Sequence, residues 1–417
     1  MTSSLDALET RAPQEREQAL LAALPAQIAH AQAHSQAFAS ILQGVDAAAV
    51  TSRAALAQLP VTRKSELLER QQQVRAQGGN VFGGFATIGF GAAMPRVFAS
   101  PGPIYEPEGL RQDYWRMARA LRAAGFQASD LVHNSFSYHF TPAGSMMETA
   151  AHALGCTVFP AGVGQTEQQV QAIAELKPAA YVGTPSFLRL LIEKSQELQL
   201  PIHSIRKALV SGEALPPSLR AWFQEQGIEA YQAYGTADLG LIAYETQARE
   251  GLVVDEAVLL EIVRPGTNEP VPEGEVGEVV VTTLNPDYPL IRFGTGDLSA
   301  VLPGMCPTGR SNTRIKGWMG RADQTTKVRG MFVHPAQVAE VLKRFTSIRK
   351  ARLVISGAMA NDHMLLQVEA LDALGETTQA IAAAMREVTK LRCDVAQVEL
   401  GALPNDGKVI DDTRRYE

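Results

Sequence analysis

Cysteine is scarce in this chain. Cys156, Cys306 and Cys393 are its only three in 417 residues, lie far apart and form no Cys-x-x-Cys pair. A sparse, odd set of that kind fits structural thiols in a reducing compartment, and the cytoplasm is the expected location. No apolar run approaches the ~20 residues that a membrane-spanning helix needs, and the opening MTSSLDALETRAPQEREQ is polar and mixed in charge, unlike a secretory signal. Basic charge is not in excess either: 38 Lys plus Arg face 44 Asp plus Glu, a net charge of −6. A nucleic-acid footprint needs a basic face or stripe, so neither nucleic acid nor membrane is an expected partner.

What remains is ordinary globular composition, 46% hydrophobic and 20% charged, in a chain too long for one core. Residues 1–60 read as Ala/Gln/Glu-rich helices ending at Leu59-Pro60. In GLRQDYWRMARALRAAG, Leu110, Tyr114, Met117 and Leu121 recur at helical spacing, which predicts an amphipathic helix closed by Gly125. The short apolar runs LVHNSF, CTVFP, AAYVG, KALVSG and IEAYQAYG then alternate with helical stretches around Ala143–Leu154, from Thr166, over Pro185–Leu198 and after Pro216. Short buried strands alternating with helices predict a mostly parallel sheet covered on both faces.

Past residue 255 the texture changes to the strand-like AVLLEIV and GEVVVTTL, and after Gly320 a fresh pattern begins. It holds a helix at Pro335–Phe345, strands ARLVIS and HMLLQVEA, a helix over Thr377–Leu391 and strand AQVELG. The expected fold class is α/β: a large multi-layer N-terminal domain over residues 1–319, with mostly parallel sheets covered by helices, and a small mobile α+β C-terminal domain over 320–417.

In open α/β sheets, ligands collect at the carboxyl ends of the strands. Three such ends carry unusual residues: Ser211, Gly212 and Glu213 in KALVSGEALP, Tyr234 to Asp238 in AYQAYGTADLG, and Asn134 to Phe140 in VHNSFSYHF. Each alone would serve as a turn or a core cap; together they suggest a pocket with aromatic walls and a few polar groups. Asp297 in LIRFGTGDLSAV has the chemistry to accept both ribose hydroxyls, or to stabilise a turn. GRADQTTKVRG sets Arg321, Asp323, Lys327 and Arg329 in a glycine-bounded polar stretch between the two domains, and LPNDGKVIDDTR puts Lys408 near the C-terminus.

Taken in order, SGEALP, YGTADLG, FGTGDL, GRADQTTKVRG and DGK, with upstream LPVTRKSEL, LVHNSF and TPSFLRLL, resemble the ordered signatures of the phenylacetate–CoA ligase family of acyl-adenylate-forming enzymes. The resemblance covers roughly residues 58–417. It implies ATP, Mg²⁺ and CoA as cofactors, and activation of a small aromatic acid, phenylacetate- or benzoate-like, through acyl-AMP.

Its implied site residues follow by position. Ser211, Gly212 and Glu213 lie along adenine, and Tyr234, followed by Gly235 and Thr236, stacks on it. Asp238 stands at the metal and phosphate carboxylate, Asp297 at the ribose, and Arg321 at the ribose–phosphate region. Phe136, Tyr138, His139 and Phe140 line the acid pocket; Asp323 is the hinge; the Arg329–Gly330 loop faces the thiol acceptor; Lys408 bridges carboxylate and α-phosphate. Carboxylate and phosphate repel, so a lysine and a metal between them would stabilise charge concentrating in the transition state. The implied partners are the acid, ATP and CoA, and a homodimer is compatible with the family.

The chain departs from that family in three places. FASPGPIYEPEG stands where a Ser/Thr/Gly-rich phosphate loop is usual; Ser100 and Gly102 survive, prolines remove amide donors, and Glu106 and Glu108 are expected to bring negative charge toward a polyphosphate. Ala237 replaces the usual hydroxyl residue, and Cys306-Pro307-Thr308 lacks the second cysteine of a Cys-x-Cys zinc site, so no zinc is expected. These losses leave two alternatives open beside the ligase: an adenylate-binding protein with weak ATP chemistry, and an adenylating enzyme that passes its acyl group to an amine or a carrier protein.

Overall fold

The computed structural model describes residues 4–324, 326–328, 331–358, 361–375, 377–404 and 408–414. The chain divides into two compact units, Met1–Thr295 with Ala300–Trp318, and Gly296–Ser299 with Met319–Glu417.

In the first unit the predicted alternation produces a parallel array. Strands Thr157–Pro160, Leu131–Asn134, Ala180–Gly183, Lys207–Val210 and Glu229–Thr236 lie side by side in that spatial order, all parallel. The sheet continues antiparallel through Gly240–Glu245, Leu252–Val254, Arg314–Ile315 and Val301–Leu302 to reach nine strands. Parallel strands must be joined by crossovers, and helices Ala143–Ala153, Thr166–Leu176, Pro185–Glu197 and Pro217–Glu225 supply them. The helix Pro185–Glu197 shows why its sequence folds so. Thr184 caps it by accepting from Phe187 N, Pro185 opens the first turn, and Leu188, Leu191, Ile192 and Ser195 bury one face. Each fully buried leucine there contributes about 1.5–3 kcal/mol.

The helix predicted over residues 109–125 is much shorter, Ala118–Ala123. Asp113 and Arg116 adopt φ of 49° and 64°, which a helix cannot contain. Tertiary contacts hold them there: Arg116 Nε is 2.9 Å from Asp255 Oδ1, and Asp113 accepts from Ala118 N to cap the short helix. Periodicity was real, but the buried ion pair outweighs it.

The second unit is α+β. Ile348–Ala358 pairs antiparallel with Asn361–Ala370, and Ile410–Asp412 and Asp394–Val398 add parallel strands on either side. Helices Pro335–Lys343 and Thr377–Thr389 accompany the sheet, and Leu353, Ile355, Leu366, Val368 and Ile381 are among the buried core. Among the described residues no helix is long and apolar enough to cross a membrane.

Candidate active site

The carboxyl ends of the parallel strands carry a cavity of about 800 Å³. Its wall takes Ser135 and Phe136 from the end of Leu131–Asn134, Thr184 and Phe187 from the next strand and helix, Val163 from the 161–165 loop, and Gly212. Of the four aromatic positions expected to hold the acid, only Phe136 is on this wall. Tyr138 turns aside: it accepts from Asn134 Nδ2 and donates to Glu148 Oε2 at 2.7 Å. Burial and that bond hold its hydroxyl well above the usual tyrosine range. His139 and Phe140 are exposed, Phe140 at φ 63°. Thr184, Ser186 and Phe187 are wall residues that reasoning from sequence passed over. TPSFL directly follows the Ala180–Gly183 strand, so the rule that singled out its neighbours applies equally to it.

The predicted adenine wall assembles from two adjacent strand ends. Ser211 Oγ donates to Ala233 O at 2.8 Å, which ties the Lys207–Val210 strand end to its neighbour. Gly212 has φ +80°, a conformation that favours glycine. Glu213 is exposed and accepts from Ser186 Oγ at 2.9 Å, at the start of the helix lining the cavity. Tyr234 is half-buried and its hydroxyl meets Thr295 Oγ1 at 3.3 Å. Gly235 is forced by packing, because a Cβ there would lie 2.6 Å from Gly240 O. Thr236 Oγ1 accepts from Leu239 N, closing the turn that carries Asp238.

Asp238 is buried, and Lys64 Nζ donates to its Oδ2 at 2.7 Å, while Oδ1 has no hydrogen-bond partner among the described residues. A hexacoordinate Mg²⁺ keeps several waters and needs room around its carboxylate ligand. This side chain is sealed from solvent with an ammonium on one oxygen, so the local geometry fits a resident lysine cation rather than direct metal ligation. Among the described residues no group of three or more His, Cys, Asp or Glu is arranged to hold a metal.

The departing loop is a hairpin of Arg96–Ser100 and Ile104–Glu108. The expectation that Glu106 and Glu108 point charge at a polyphosphate is overturned: both are buried. Glu106 accepts from the Ser100 hydroxyl and amide. Burial, then the charge of Asp238, pushes its carboxyl up to about 8. Glu108 is satisfied by Arg96 Nη1, Trp115 Nε1 and Ser145 Oγ at 2.6, 2.9 and 2.6 Å.

Within the second unit, Asp297 and Arg321 come together by a backbone bridge and a 3.1 Å ion pair. Gly296, at φ +73°, leaves room for that guanidinium, since a Cβ would sit 2.6 Å from Arg321 Nη2. Asp323 lies in the short 3₁₀ turn Ala322–Gln324. Lys408 is exposed, 3.6 Å from Asp411 Oδ1. Arg329 and Gly330 lie outside the described residues.

The model of the AMP-binding enzyme family matches residues 112–285, which hold the strand ends just described. Phenylacetate-coenzyme A ligase of Aromatoleum evansii is 32% identical over 315 residues, 72% of this chain and 68% of that protein. The chain belongs to the phenylacetate–coenzyme A ligase family. A ligase of the same name from Thermus thermophilus is 31% identical over 314 residues, covering 72% and 68%. Among solved structures, an open conformation of 2-hydroxyisobutyryl-CoA ligase bound to 2-HIB-AMP and CoA aligns with a TM-score of 0.83 at 23% identity, covering 97% of this chain and 93% of that one. The fold is therefore that of the AMP-forming CoA ligases.

Proposed function

We propose that this chain activates a small aromatic carboxylic acid, phenylacetate- or benzoate-like, with ATP, and passes the acyl group from acyl-AMP to CoA. One observation carries the reading. Gly212 lines the apolar cavity together with Phe136 and Phe187, so an acid seated beside these rings would lie next to the strand end assigned to the adenylate. The names of two related proteins, both phenylacetate-coenzyme A ligases, support the same chemistry. Planar walls reward an aryl ring by burial and by edge or stacking contacts of about 0.5–1.5 kcal/mol per pair.

In this reading Glu213 and Tyr234 hold adenine, Asp297 takes the ribose with Arg321 beside it, and Lys408 neutralises charge between carboxylate and α-phosphate. Asp323 serves as the pivot that removes Lys408 before CoA arrives at the Arg329–Gly330 loop, with residues 1–319 as body and 320–417 as lid. Magnesium accompanies the ATP phosphates; Lys64, a third exposed, supplies the fixed positive charge at Asp238.

Pyrophosphate release across a panel of aromatic, fatty and amino acids, with and without CoA, tests the assignment. Best turnover with phenylacetate or benzoate is expected, and best turnover with a long-chain fatty acid or an amino acid would reject it. Lys408→Ala should lose adenylation by about 10²–10³-fold while a supplied acyl-adenylate still yields thioester. Adenylation at the parent rate would make Lys408 a surface residue.

A further inference from the structure

Behind the cavity wall lies a polar cluster that the reading above does not use. Gln169, in helix Thr166–Leu176, is buried, and its amide spends every hydrogen-bonding position it has. Nε2 donates to Gly162 O and Gly164 O, each at 2.8 Å. Oε1 accepts from His133 Nε2 at 2.8 Å and from Ser135 Oγ at 3.1 Å. His133 stacks on Phe159 and Tyr181, with ring centroids 5.4 and 6.4 Å away, and burial lowers its pKa, so the neutral ring offers Gln169 a single N–H. One side chain thus ties a strand end to the loop opposite.

The loop is also joined to that strand end by one backbone bond, Gly162 N donating to Asn134 O at 3.0 Å, and Gln169 adds the side-chain ties. Gly162, Gly164 and Gln165 all have positive φ, at +70°, +75° and +48°, and two of the loop's carbonyls turn inward to the Gln169 amide. Ser135, Phe136 and Val163 all line the cavity, while Gln169 itself is not on the wall.

We propose that Gln169 is a positioning residue for acid specificity: by clamping the 162–164 loop to the strand end, it sets the separation of Val163 from Phe136 and hence the size of acid admitted. The inference rests on reading this cavity as the acid site. Leucine at 169 would keep the volume but leave all four partners unmatched. The exposed loop would then find water for its carbonyls by moving outward. Glutamate at 169 separates the two halves: a carboxylate still accepts from His133 and Ser135 but donates to neither carbonyl, so only the side-chain ties to the loop are lost.

The test compares the parent with Gln169→Leu and Gln169→Glu in two ways: backbone hydrogen–deuterium exchange over residues 159–168 without substrate, and steady-state kinetics on aryl acids from benzoate to naphthyl acids. Both variants should exchange faster at 161–165. Their KM for the smallest acid should rise about tenfold with kcat within about threefold, and bulkier acids should gain on smaller ones. AMP affinity should stay at the parent value. Unchanged exchange overturns the tether, and faster exchange with an unaltered size profile, or an equal loss for every acid, overturns the specificity role. A parent that adenylates no acid fails the acid-site reading instead, a result told apart because exchange is read without substrate. Should Gln169→Leu not fold, Gln169→Glu carries both measurements alone.

Discussion

The Ser211–Glu213 and Tyr234–Asp238 strand ends and the Arg96–Glu108 hairpin both carry polar residues, yet they dispose of them in opposite ways. At the strand ends Glu213 stays exposed and Tyr234 half-buried, each with a hydrogen bond to a neighbouring side chain. In the hairpin Ser100, Glu106 and Glu108 are buried and satisfy one another or their packed neighbours. The strand ends proposed for the nucleoside are thus the more exposed of the two, while the hairpin's polar side chains are engaged in holding the fold.

The strongest way to break this contrast is Gly235→Ala. A Cβ 2.6 Å from Gly240 O forces the strand end apart, and overpacking of that kind costs about 1–3 kcal/mol. Both thermal stability and AMP affinity should fall, and a variant that binds AMP at parent strength would show that the turn does not shape the nucleoside wall.

Lys64→Met asks whether the lysine is the resident cation. It strands a buried carboxylate whose other oxygen lacks a partner among the described residues, at a cost of about 1–3 kcal/mol, tempered by the exposure of Lys64. Chemical denaturation should register the loss; unchanged stability would mean that Asp238 finds another partner.

Glu106→Gln sharpens the hairpin side. A carboxyl whose pKa rises on folding, here from 4.5 to about 8, is bound to its proton more tightly in the folded state. Its contribution is fullest below about 4.5 and is lost as pH climbs through about 8. The glutamine variant, which can still accept from Ser100, should flatten that decline and gain stability at pH 8 by on the order of 1 kcal/mol. A parallel pH dependence in parent and variant would put Glu106 outside the buried cluster's titration.

Smallest in effect is the difference between nucleotides. If Glu213, Tyr234 and Asp297 hold the nucleoside as proposed while the hairpin's polar side chains stay engaged, calorimetric titration should find AMP at least as tight as Mg-ATP. Clearly tighter Mg-ATP would reveal phosphate contacts of another kind.

Much of this was legible beforehand, because hydrophobic period and strand-end position are properties of short windows. The parallel array follows from runs such as KALV and AYVG between amphipathic helices, and Gly212, Tyr234 and Asp238 fall at strand ends as that order requires. What stayed hidden depends on which side chains the fold brings together, near or far in sequence. Arg116 is drawn out of a helical pattern by Asp255, and Glu106 and Glu108 read as surface charge until Ser100, Trp115 and Ser145 surround them. Tyr138 has the same chemistry as a pocket residue, and its bonds to Asn134 and to Glu148 in the following helix turn it aside.

The identity of the nucleotide product bears most directly on the proposed reaction. Purified protein would be incubated with phenylacetate, CoA and ATP, and all products separated and quantified. Adenylation followed by thiol transfer requires AMP, pyrophosphate and phenylacetyl-CoA in equal amounts, with phenylacetyl-AMP accumulating on the protein when CoA is withheld. ADP and phosphate as products, or no acyl-AMP in the absence of CoA, would contradict it.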